Sequence, residues 1–303
     1  MGAPLQNILL LGGAGTLGPS IIKALAANGT FNISVLSRPD SKSTFPSGVK
    51  KVTSDFTKSS LVESFKGQDA VVDLIAQGSL DERKRFVDAA AEAGVKRYIP
   101  GEFSGNMENK ANVSVFPLFA DRVAAREYVK AKAAAVPGFT FTMISNGPFY
   151  DWALKNGFIG FNLETQNATI YGDGNQPASC TTLSSVGQAV ASILSKPAET
   201  ENKGLFIASF TPSQNEILAA LEEATGKKWT VNKVGIADAI SQGFEALGKG
   251  DLSGFVGVLM GSTYGPGNGN DFPKNGGVSN ELLGLPKEDL KAVTAAIVEG
   301  KDV

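Results

Sequence analysis

The chain has 303 residues, a formal net charge of −2 and no histidine. This charge offers no basic surface for nucleic acid or an anionic membrane, and no stretch approaches 18 consecutive apolar residues, so we expect a small-molecule partner. The absence of histidine excludes Ser-His and Cys-His nucleophile pairs and removes the commonest metal ligand, so we expect no metal site.

The first half alternates short apolar runs with helical patterns, which is typical of β-α-β units. The predicted strands are Ile8–Leu11, Ile33–Leu36, Lys51–Thr53, Ala70–Leu74, Arg97–Pro100 and Phe141–Ser145. The predicted helices between them are Leu17–Asn28, Ser59–Phe65, Leu80–Ala93 and Ala120–Ala134. These elements predict an α/β fold with a Rossmann-type doubly wound parallel sheet.

Beyond Asn146 the pattern is irregular, and we predict a smaller, partly interwoven C-terminal substrate-binding portion. Ser213–Thr225 and Lys287–Glu299 are predicted helices, whereas residues 255–277 read as a glycine-dense loop that is either a lid or disordered. The predicted division is a nucleotide-binding domain over 1–150, to which 168–198 return, and a substrate-binding portion over 151–167 and 199–303.

The stretch "GGAGTLG" lies between the first predicted strand and helix. A turn without side chains lets the backbone approach a pyrophosphate, whose charge then lies at the N-terminus of the following helix. An ordinary strand-to-helix turn is the alternative, but the position at the start of a β-α-β unit favours dinucleotide binding. The predicted cofactor contacts are Gly12, Gly15, Thr16, Leu17 and Gly18.

The end of the second predicted strand selects the nucleotide. NAD enzymes commonly place Asp or Glu about 20 residues beyond the glycines, whereas Arg suits a 2′-phosphate. Here Ser37 is followed by Arg38, which lies 20 residues beyond Gly18 (38 − 18), and Lys42 offers a second positive charge. The alternative is a solvated surface arginine. The sequence therefore favours NADP(H) as the cofactor.

Several segments together resemble one known family. They are the glycine turn with Arg38, "KRYIPGEFSGN" at 96–106, "DRVAAREYV" at 121–129 and "SNGPFYDWALKNGFIGF" at 145–161. They resemble the NmrA-like, isoflavone reductase-like branch of the atypical short-chain dehydrogenases, and its fungal members most. The resemblance runs from about Ile8 to Val231 and implies NADPH-dependent reduction, although the superfamily also holds regulators that bind the dinucleotide without turnover.

Further cofactor contacts are predicted around this framework, at the ends of other strands. They are Asp55, Phe56, Ala76, Gln77, Glu102, Phe103, Arg122, Asn146, Pro148 and Phe149.

The sequence departs from the family at Arg122. The family's reductases carry a lysine there, in a pattern like D-K-x-x-V-R-E-Y, whereas this chain reads Asp121-Arg122-Val123 and onward. Arginine does not serve as a general base, but it can bind a phosphate, a ribose hydroxyl or a substrate oxyanion. We therefore assign Arg122 to oxyanion stabilisation or cofactor anchoring.

A second catalytic candidate is the pair Tyr128 and Lys132, which has the Tyr-x-x-x-Lys spacing of ordinary short-chain dehydrogenases. On a helix the two share one face, where the lysine could lower the pKa of the phenol. The alternative is a packed tyrosine and a solvated lysine. Tyr150 or a bound water is a further candidate proton donor.

Polar and aromatic residues indicate a substrate pocket. The segment around Glu102 leaves a strand at the carboxyl edge of the sheet, where open α/β folds bind ligands. An aromatic wall suits a flat apolar substrate, such as a phenolic or polyketide-like ring system, although the same side chains could belong to the core. The predicted substrate contacts are Ser104, Asn106, Phe149, Trp152, Phe158 and Phe161.

These features predict an NADPH-dependent reductase of secondary metabolism, which delivers hydride to an enone, quinone methide or carbonyl. The alternatives are a redox sensor that binds NADP(H) without turnover and a redox-neutral biosynthetic cyclase or isomerase. The lone cysteine, Cys180, and an N-terminus without signal-peptide features predict a cytoplasmic protein. We expect a monomer or homodimer.

Overall fold

The chain is divided between two units that are interleaved along the sequence. The computed structural model describes residues 4–115 and 119–303. The first unit draws on 1–103, 121–144 and 186–205, and the second on 104–120, 145–185 and 206–303. Relative to the predicted division, residues 104–120, 145–150 and 168–185 lie in the second unit and 199–205 in the first. Which unit binds a cofactor and which a substrate stays a prediction.

Apolar runs such as Ile8–Leu11 and Ala70–Val72 form buried strands, whereas Val49–Thr53 and Thr230–Val234 form strands with exposed residues. The strands are β1 (Asn7–Leu11), β2 (Asn32–Ser37), β3 (Val49–Thr53), β4 (Ala70–Asp73), β5 (Arg97–Ile99), β6 (Thr140–Ser145), β7 (Phe161–Asn162), β8 (Asn167–Tyr171), β9 (Lys203–Phe206) and β10 (Thr230–Val234). All six predicted strands are present, with ends that differ by at most two residues.

Helices occupy most of the segments between strands. They are α1 (Gly18–Asn28), α2 (Lys58–Phe65), α3 (Leu80–Glu92), α4 (Lys110–Val115), α5 (Ala120–Ala135), α6 (Tyr150–Lys155), α7 (Leu183–Ser195), α8 (Pro197–Thr200), α9 (Gln214–Thr225), α10 (Ile236–Gly248), α11 (Gly254–Tyr264), α12 (Asn280–Leu283) and α13 (Leu290–Val298). Among the described residues, none of these helices is both long and apolar enough to cross a membrane.

The first unit is built on one sheet with the order β3-β2-β1-β4-β5-β6-β9. The pairings of β1 with β2 and β4, of β2 with β3, and of β5 with β4 and β6 are parallel. The order 3-2-1-4-5-6 is that of a Rossmann sheet, so the predicted fold class is confirmed. β9 adds a further edge strand that the sequence pattern did not reveal. The carboxyl ends of these strands lie at one edge, where such sheets bind ligands.

A buried arginine fastens the opposite, amino-terminal edge of this sheet. Arg97 begins β5 and is 2% exposed. Its guanidinium donates to the hydroxyls of Thr140, Thr142 and Thr200 at 2.8, 2.9 and 3.0 Å and to the Pro197 carbonyl at 2.7 Å. Burial lowers its pKa to about 10, which still leaves it charged at neutral pH. The chain beyond α7 is thus tied to β5 and β6.

The second unit has its own small sheet and core. Its strand order is β10-β8-β7, with β10 parallel and β7 antiparallel to β8. The core around this sheet includes Tyr150, Ile159, Phe161, Trp229 and Met260. Residues 168–171, which the prediction returned to the nucleotide-binding domain, form part of this sheet.

Helix α11 corrects the prediction that all of 255–277 is a loop. Three glycines lower its intrinsic helix propensity, which hid it in the sequence. They lie against α10: a Cβ at Gly254 would be 2.2 Å from the Gly243 carbonyl oxygen, and one at Gly257 would be 2.9 Å from that of Ala239. The glycines therefore serve close helix packing rather than flexibility.

Candidate functional site

A glycine turn joins β1 to α1 in the first unit. Gly12 has a φ of +74°, which glycine adopts without strain, and its carbonyl accepts a 2.9 Å hydrogen bond from the Gly15 amide. A Cβ at Gly18 would lie 1.9 Å from a backbone oxygen of the turn. Thr16 is exposed, and Leu17 gives the start of α1 no side-chain cap. The turn presents bare backbone at the N-terminal end of α1, a position suited to phosphate.

A cavity of about 540 Å³ opens at the carboxyl ends of β2, β3 and β4. Four residues predicted to contact a cofactor line it, namely Arg38, Asp55, Phe56 and Gln77. Lys42 is exposed and lies outside the set of lining residues. The structure thus brings together strand-end residues that are up to 39 positions apart in the sequence (77 − 38).

The walls of this cavity are held by local hydrogen bonds. The Ser37 carbonyl accepts from the Ser54 amide at 3.0 Å, which joins the ends of β2 and β3. Hydrogen bonds from the hydroxyl and amide of Thr57 lower the pKa of Asp55. Phe56 has a φ of +63°, a conformation unusual for a bulky residue, and its carbonyl accepts from Arg85 at 3.3 Å.

Two arginines connect the loops that follow β4 and β5. Arg122, at the start of α5, donates to the Ala76 carbonyl at 2.7 Å and to the Glu102 carbonyl at 3.4 Å. Arg83, on α3, donates to the same Ala76 carbonyl at 3.2 Å and to the Gly101 carbonyl at 3.4 Å. Burial, with the nearby Arg83 charge, lowers the pKa of Arg122. Both guanidiniums therefore bind backbone oxygens of two neighbouring strand-end loops.

The Glu102 side chain is buried below these loops, with 5% of its surface exposed. Its Oε2 accepts a 2.6 Å hydrogen bond from Arg126, while Oε1 has no hydrogen-bond partner among the described residues. Burial raises the pKa of the carboxyl to about 7, because desolvation outweighs the attraction of Arg126. The next residue, Phe103, has a φ of +25°. Glu102 is thus a buried acid that titrates near neutrality.

Tyr128 and Lys132 share one helix face, as predicted, but that face contacts α3. The Tyr128 hydroxyl donates to Asp88 at 2.7 Å, and the Lys132 ammonium lies 2.7 Å from the same carboxylate. The hydrogen bond to Asp88 raises the pKa of Tyr128, which is opposite to the predicted lowering by Lys132. The structure corrects that part of the catalytic hypothesis, since Asp88 competes for both groups.

Two side-chain oxygen atoms of the second unit are buried without hydrogen-bond partners among the described residues. Ser104 pairs with Ser145, and the Ser104 carbonyl accepts from the Asn146 amide at 3.0 Å. The Asn146 Nδ2 donates to the Gly147 carbonyl at 2.6 Å, which leaves its Oδ1 unpartnered, like the Ser104 hydroxyl. A buried polar atom left unpaired costs stability, so these two atoms are candidates to bind a ligand.

The predicted aromatic wall separates into accessible and core residues. Phe149 and Trp152 are half-buried, and Trp152 contacts the half-buried Phe158 with ring centroids 5.4 Å apart. Phe161 is fully buried against Trp229, with ring centroids 6.2 Å apart. Its assignment to an accessible wall is therefore corrected, because its ring fills the core.

Tyr150 is also a core residue. It is fully buried, and its hydroxyl shares a 2.6 Å hydrogen bond with Thr294. Burial raises its pKa well above the usual range, so the phenol is a poor proton donor. The preceding Pro148 carbonyl accepts from the Thr181 amide at 3.1 Å, which fixes the entry into α6. The structure thus argues against Tyr150 as the group that returns a proton.

Asparagines fasten the glycine-rich segment after α11. The Asn106 amide donates to Asn270 Oδ1 at 3.0 Å, and the Asn106 side chain donates to the Gly269 carbonyl at 3.3 Å. Asn109 donates to the Gly267 carbonyl at 3.0 Å. Asn106 is 6% exposed, and these bonds give it a role in holding the segment, while its predicted substrate contact stays untested.

Comparison with known proteins decides the family. The NmrA-like family model matches residues 4–246, which is most of the chain. The chain belongs to the NmrA-like family. This NmrA-like chain is 36% identical to Oxidoreductase aprR of Aspergillus flavus over 97% of its length and 99% of that protein. It is 32% identical to Oxidoreductase poxI of Penicillium oxalicum, with 94% and 92% covered. The predicted resemblance is confirmed, and the NmrA-like chain is an oxidoreductase.

A solved structure supports the fold of this NmrA-like chain. The structure of AtPrR2 with NADP+ and (+)pinoresinol matches 98% of the chain and 100% of its own length, with a TM-score of 0.77 and 21% identity. At this identity the likeness establishes the architecture alone.

Sequence reasoning missed Arg83 and Arg85 of the NmrA-like chain. Both lie in the charged stretch "DERKR", which reads as a solvated helix face. The available signal for a role in the site was their position near the start of the helix after β4, because that end of the helix lies at the carboxyl edge of the sheet. Arg83 is 7% exposed despite its charge, and only the fold reveals this.

Proposed function

We propose that the protein is an NADPH-dependent reductase of a small aromatic or polyketide-like metabolite. The observation that carries this proposal is the position of Arg38 on the wall of a cavity at the carboxyl edge of a Rossmann sheet that also carries the Gly12–Gly18 turn. The reaction transfers hydride to an enone, quinone methide or carbonyl. The oxidoreductase names of the relatives and the presence of NADP+ in the AtPrR2 structure support this choice.

The residues of the first unit fit the dinucleotide. The glycine turn has no room for a Cβ at Gly18 and leaves backbone N–H groups for a pyrophosphate. The guanidinium of Arg38 matches a 2′-phosphate, which a carboxylate at that place would repel. Phe56 and Gln77 line the same cavity and offer a ring face and a side-chain amide for the adenine. NADPH, when bound, supplies the hydride.

The second unit offers groups suited to an aromatic, oxygen-bearing ligand. Phe149, Trp152 and Phe158 are half-buried rings. The unpartnered Asn146 Oδ1 accepts a hydrogen bond, and the Ser104 hydroxyl can donate or accept one. A flat ring with hydroxyl or carbonyl substituents satisfies both kinds of contact. This supports a phenolic or polyketide-like substrate.

A titration of the purified protein with NADPH and with NADH tests the cofactor proposal. We expect NADPH to bind more tightly, and Arg38→Ala to weaken NADPH by about 10- to 100-fold while it leaves NADH nearly unchanged. Lys50→Ala is the control, because this lysine is exposed, lies outside the cavity lining and has no predicted cofactor contact. Equal loss of both nucleotides in Arg38→Ala would remove the phosphate assignment, and no binding of either would remove the reductase proposal.

A second candidate function is an NADP(H) sensor without turnover. It is favoured by the state of the candidate catalytic residues: Arg122 binds loop carbonyls, Tyr128 donates to Asp88, and Tyr150 is bonded to Thr294. A panel of aromatic enones, quinones and ketones with NADPH oxidation followed at 340 nm separates the two. Turnover of any member supports the reductase. Tight NADPH binding with no turnover, accompanied by a change in oligomeric state or protease sensitivity, supports the sensor.

A further inference from the structure

The loop after β4 is held from both directions by ionisable side chains. The Asp73 carboxylate accepts from the Ile75 amide at 2.9 Å and, through its other oxygen, from the Tyr98 hydroxyl at 3.2 Å. On the carbonyl side, Arg83 and Arg122 both donate to Ala76. The amide of Ile75 and the carbonyl of the next residue, Ala76, are therefore fixed by three different side chains.

The same groups join this loop to the one after β5. Each arginine bridges from Ala76 to a carbonyl of the second loop, Gly101 for Arg83 and Glu102 for Arg122. A Cβ at Gly101 would lie 3.0 Å from the Ile75 carbonyl oxygen, so the loops are in close backbone contact. The two loops are held together, because moving either loop breaks hydrogen bonds of both arginines.

Two positive charges at one carbonyl oxygen repel each other, so this arrangement costs electrostatic free energy. Burial and the Arg83 charge lower the pKa of Arg122, while Glu102 and Asp73 act in the opposite direction. A single neutral donor would satisfy Ala76 at lower electrostatic cost. Two guanidiniums make the loop more rigid. Each planar group is hydrogen-bonded to both loops, and together they restrict the backbone to one arrangement.

We infer that Arg83 and Arg122 are positioning residues that together set the Ala76–Gln77 loop as a fixed wall of the dinucleotide site, so that Arg122 acts through the loop and not by proton transfer. The inference rests on the proposed function, since Gln77 lines the cavity assigned to the cofactor. It also gives a reason for arginine at a position where the family's reductases carry lysine: an ammonium is a compact point charge, without the rigid planar fork that joins Ala76 to a second carbonyl.

The test compares NADPH binding by Arg122→Lys, Arg83→Lys and the double variant. A lysine can reach one of the two carbonyls, so we expect each single variant to raise the NADPH Kd on the order of tenfold, the effect of losing one charge-assisted hydrogen bond. Because both act on one loop, we expect the double variant to lose much less than the product of the two single effects. Hydrogen exchange of the 74–78 amides without nucleotide should become faster in all three.

Arg97→Lys is the matched control. It also removes a buried guanidinium fork from the first unit, but at the amino-terminal edge of the sheet. We expect it to lower the melting temperature while the NADPH Kd stays within twofold of wild type. An NADPH Kd that is unchanged in Arg83→Lys and Arg122→Lys, or one that rises equally in Arg97→Lys, overturns the inference. If the wild type itself binds no NADPH, the proposed function fails first, which is a distinguishable result.

Discussion

The wild-type protein is expected to lose stability as the pH rises towards neutrality. The Glu102→Gln variant is expected not to show this loss. The folded carboxyl has a pKa of about 7, against an ordinary value of 4.5. Between these values the unfolded chain has released the proton while the folded protein keeps it. The contribution of Glu102 to stability is therefore fully present below pH 4.5 and is lost as the pH rises through 7. At about 1.4 kcal/mol for each pKa unit, the loss amounts to about 3 kcal/mol.

Urea unfolding of wild type and Glu102→Gln at pH 5, 6, 7 and 8 measures this effect. Other titrating groups cancel in the difference between the two proteins, so the stability of wild type minus that of the variant should fall by about 3 kcal/mol across the series. Glu127→Gln, on the exposed face of α5, controls for the substitution itself. A difference that stays flat or grows with pH would show that the Arg126 contact outweighs burial, and the reasoning would be refuted.

Three further predictions concern side-chain space and burial. In Gly18→Ala the added Cβ meets a backbone oxygen at 1.9 Å, so we expect about 1–3 kcal/mol of destabilisation in urea and a weaker NADPH complex by titration. Phe161→Ala leaves a cavity beside Trp229 and should lower the free energy of unfolding by about 3–5 kcal/mol, with an unchanged NADPH Kd. Little destabilisation would support the original prediction that Phe161 lines the substrate pocket. Tyr150→Phe removes the buried hydrogen bond to Thr294, which keeps its bond to the Leu290 carbonyl, and should cost about 1 kcal/mol; a hundredfold fall in turnover would support Tyr150 as the proton donor.

The sequence predicted those parts of the molecule in which local preference and long-range packing agree. The runs that became β1 and β4 contain the buried apolar residues Ile8–Leu11 and Ala70–Val72, and the doubly wound sheet followed from the alternation of strands with helices. Helix α11 escaped prediction because its glycines, such as Gly254, are selected by contact with α10 rather than by local preference.

The site was predicted less completely for a similar reason. Spacing correctly placed Tyr128 and Lys132 on one helix face, but it cannot show what the face meets, and Asp88 lies 40 positions earlier in the chain. Arg83 was hidden within a charged stretch because burial is a property of the fold. Glycines and Arg38 were readable from the sequence because their chemistry depends on the local turn and strand end.

The anchoring of Arg97 has a consequence for the order in which the protein can be completed during synthesis. Its acceptors at Pro197 and Thr200 are 100 and 103 positions later, so they leave the ribosome long after β5 does. Until then a buried cation lacks two of its partners, and the sheet lacks β9. Residues 145–185, which belong to the other unit, are made in between. The nascent Rossmann sheet therefore cannot be completed before residues 145–185 of the second unit have emerged, and chains stalled within that interval are expected to be sensitive to proteases.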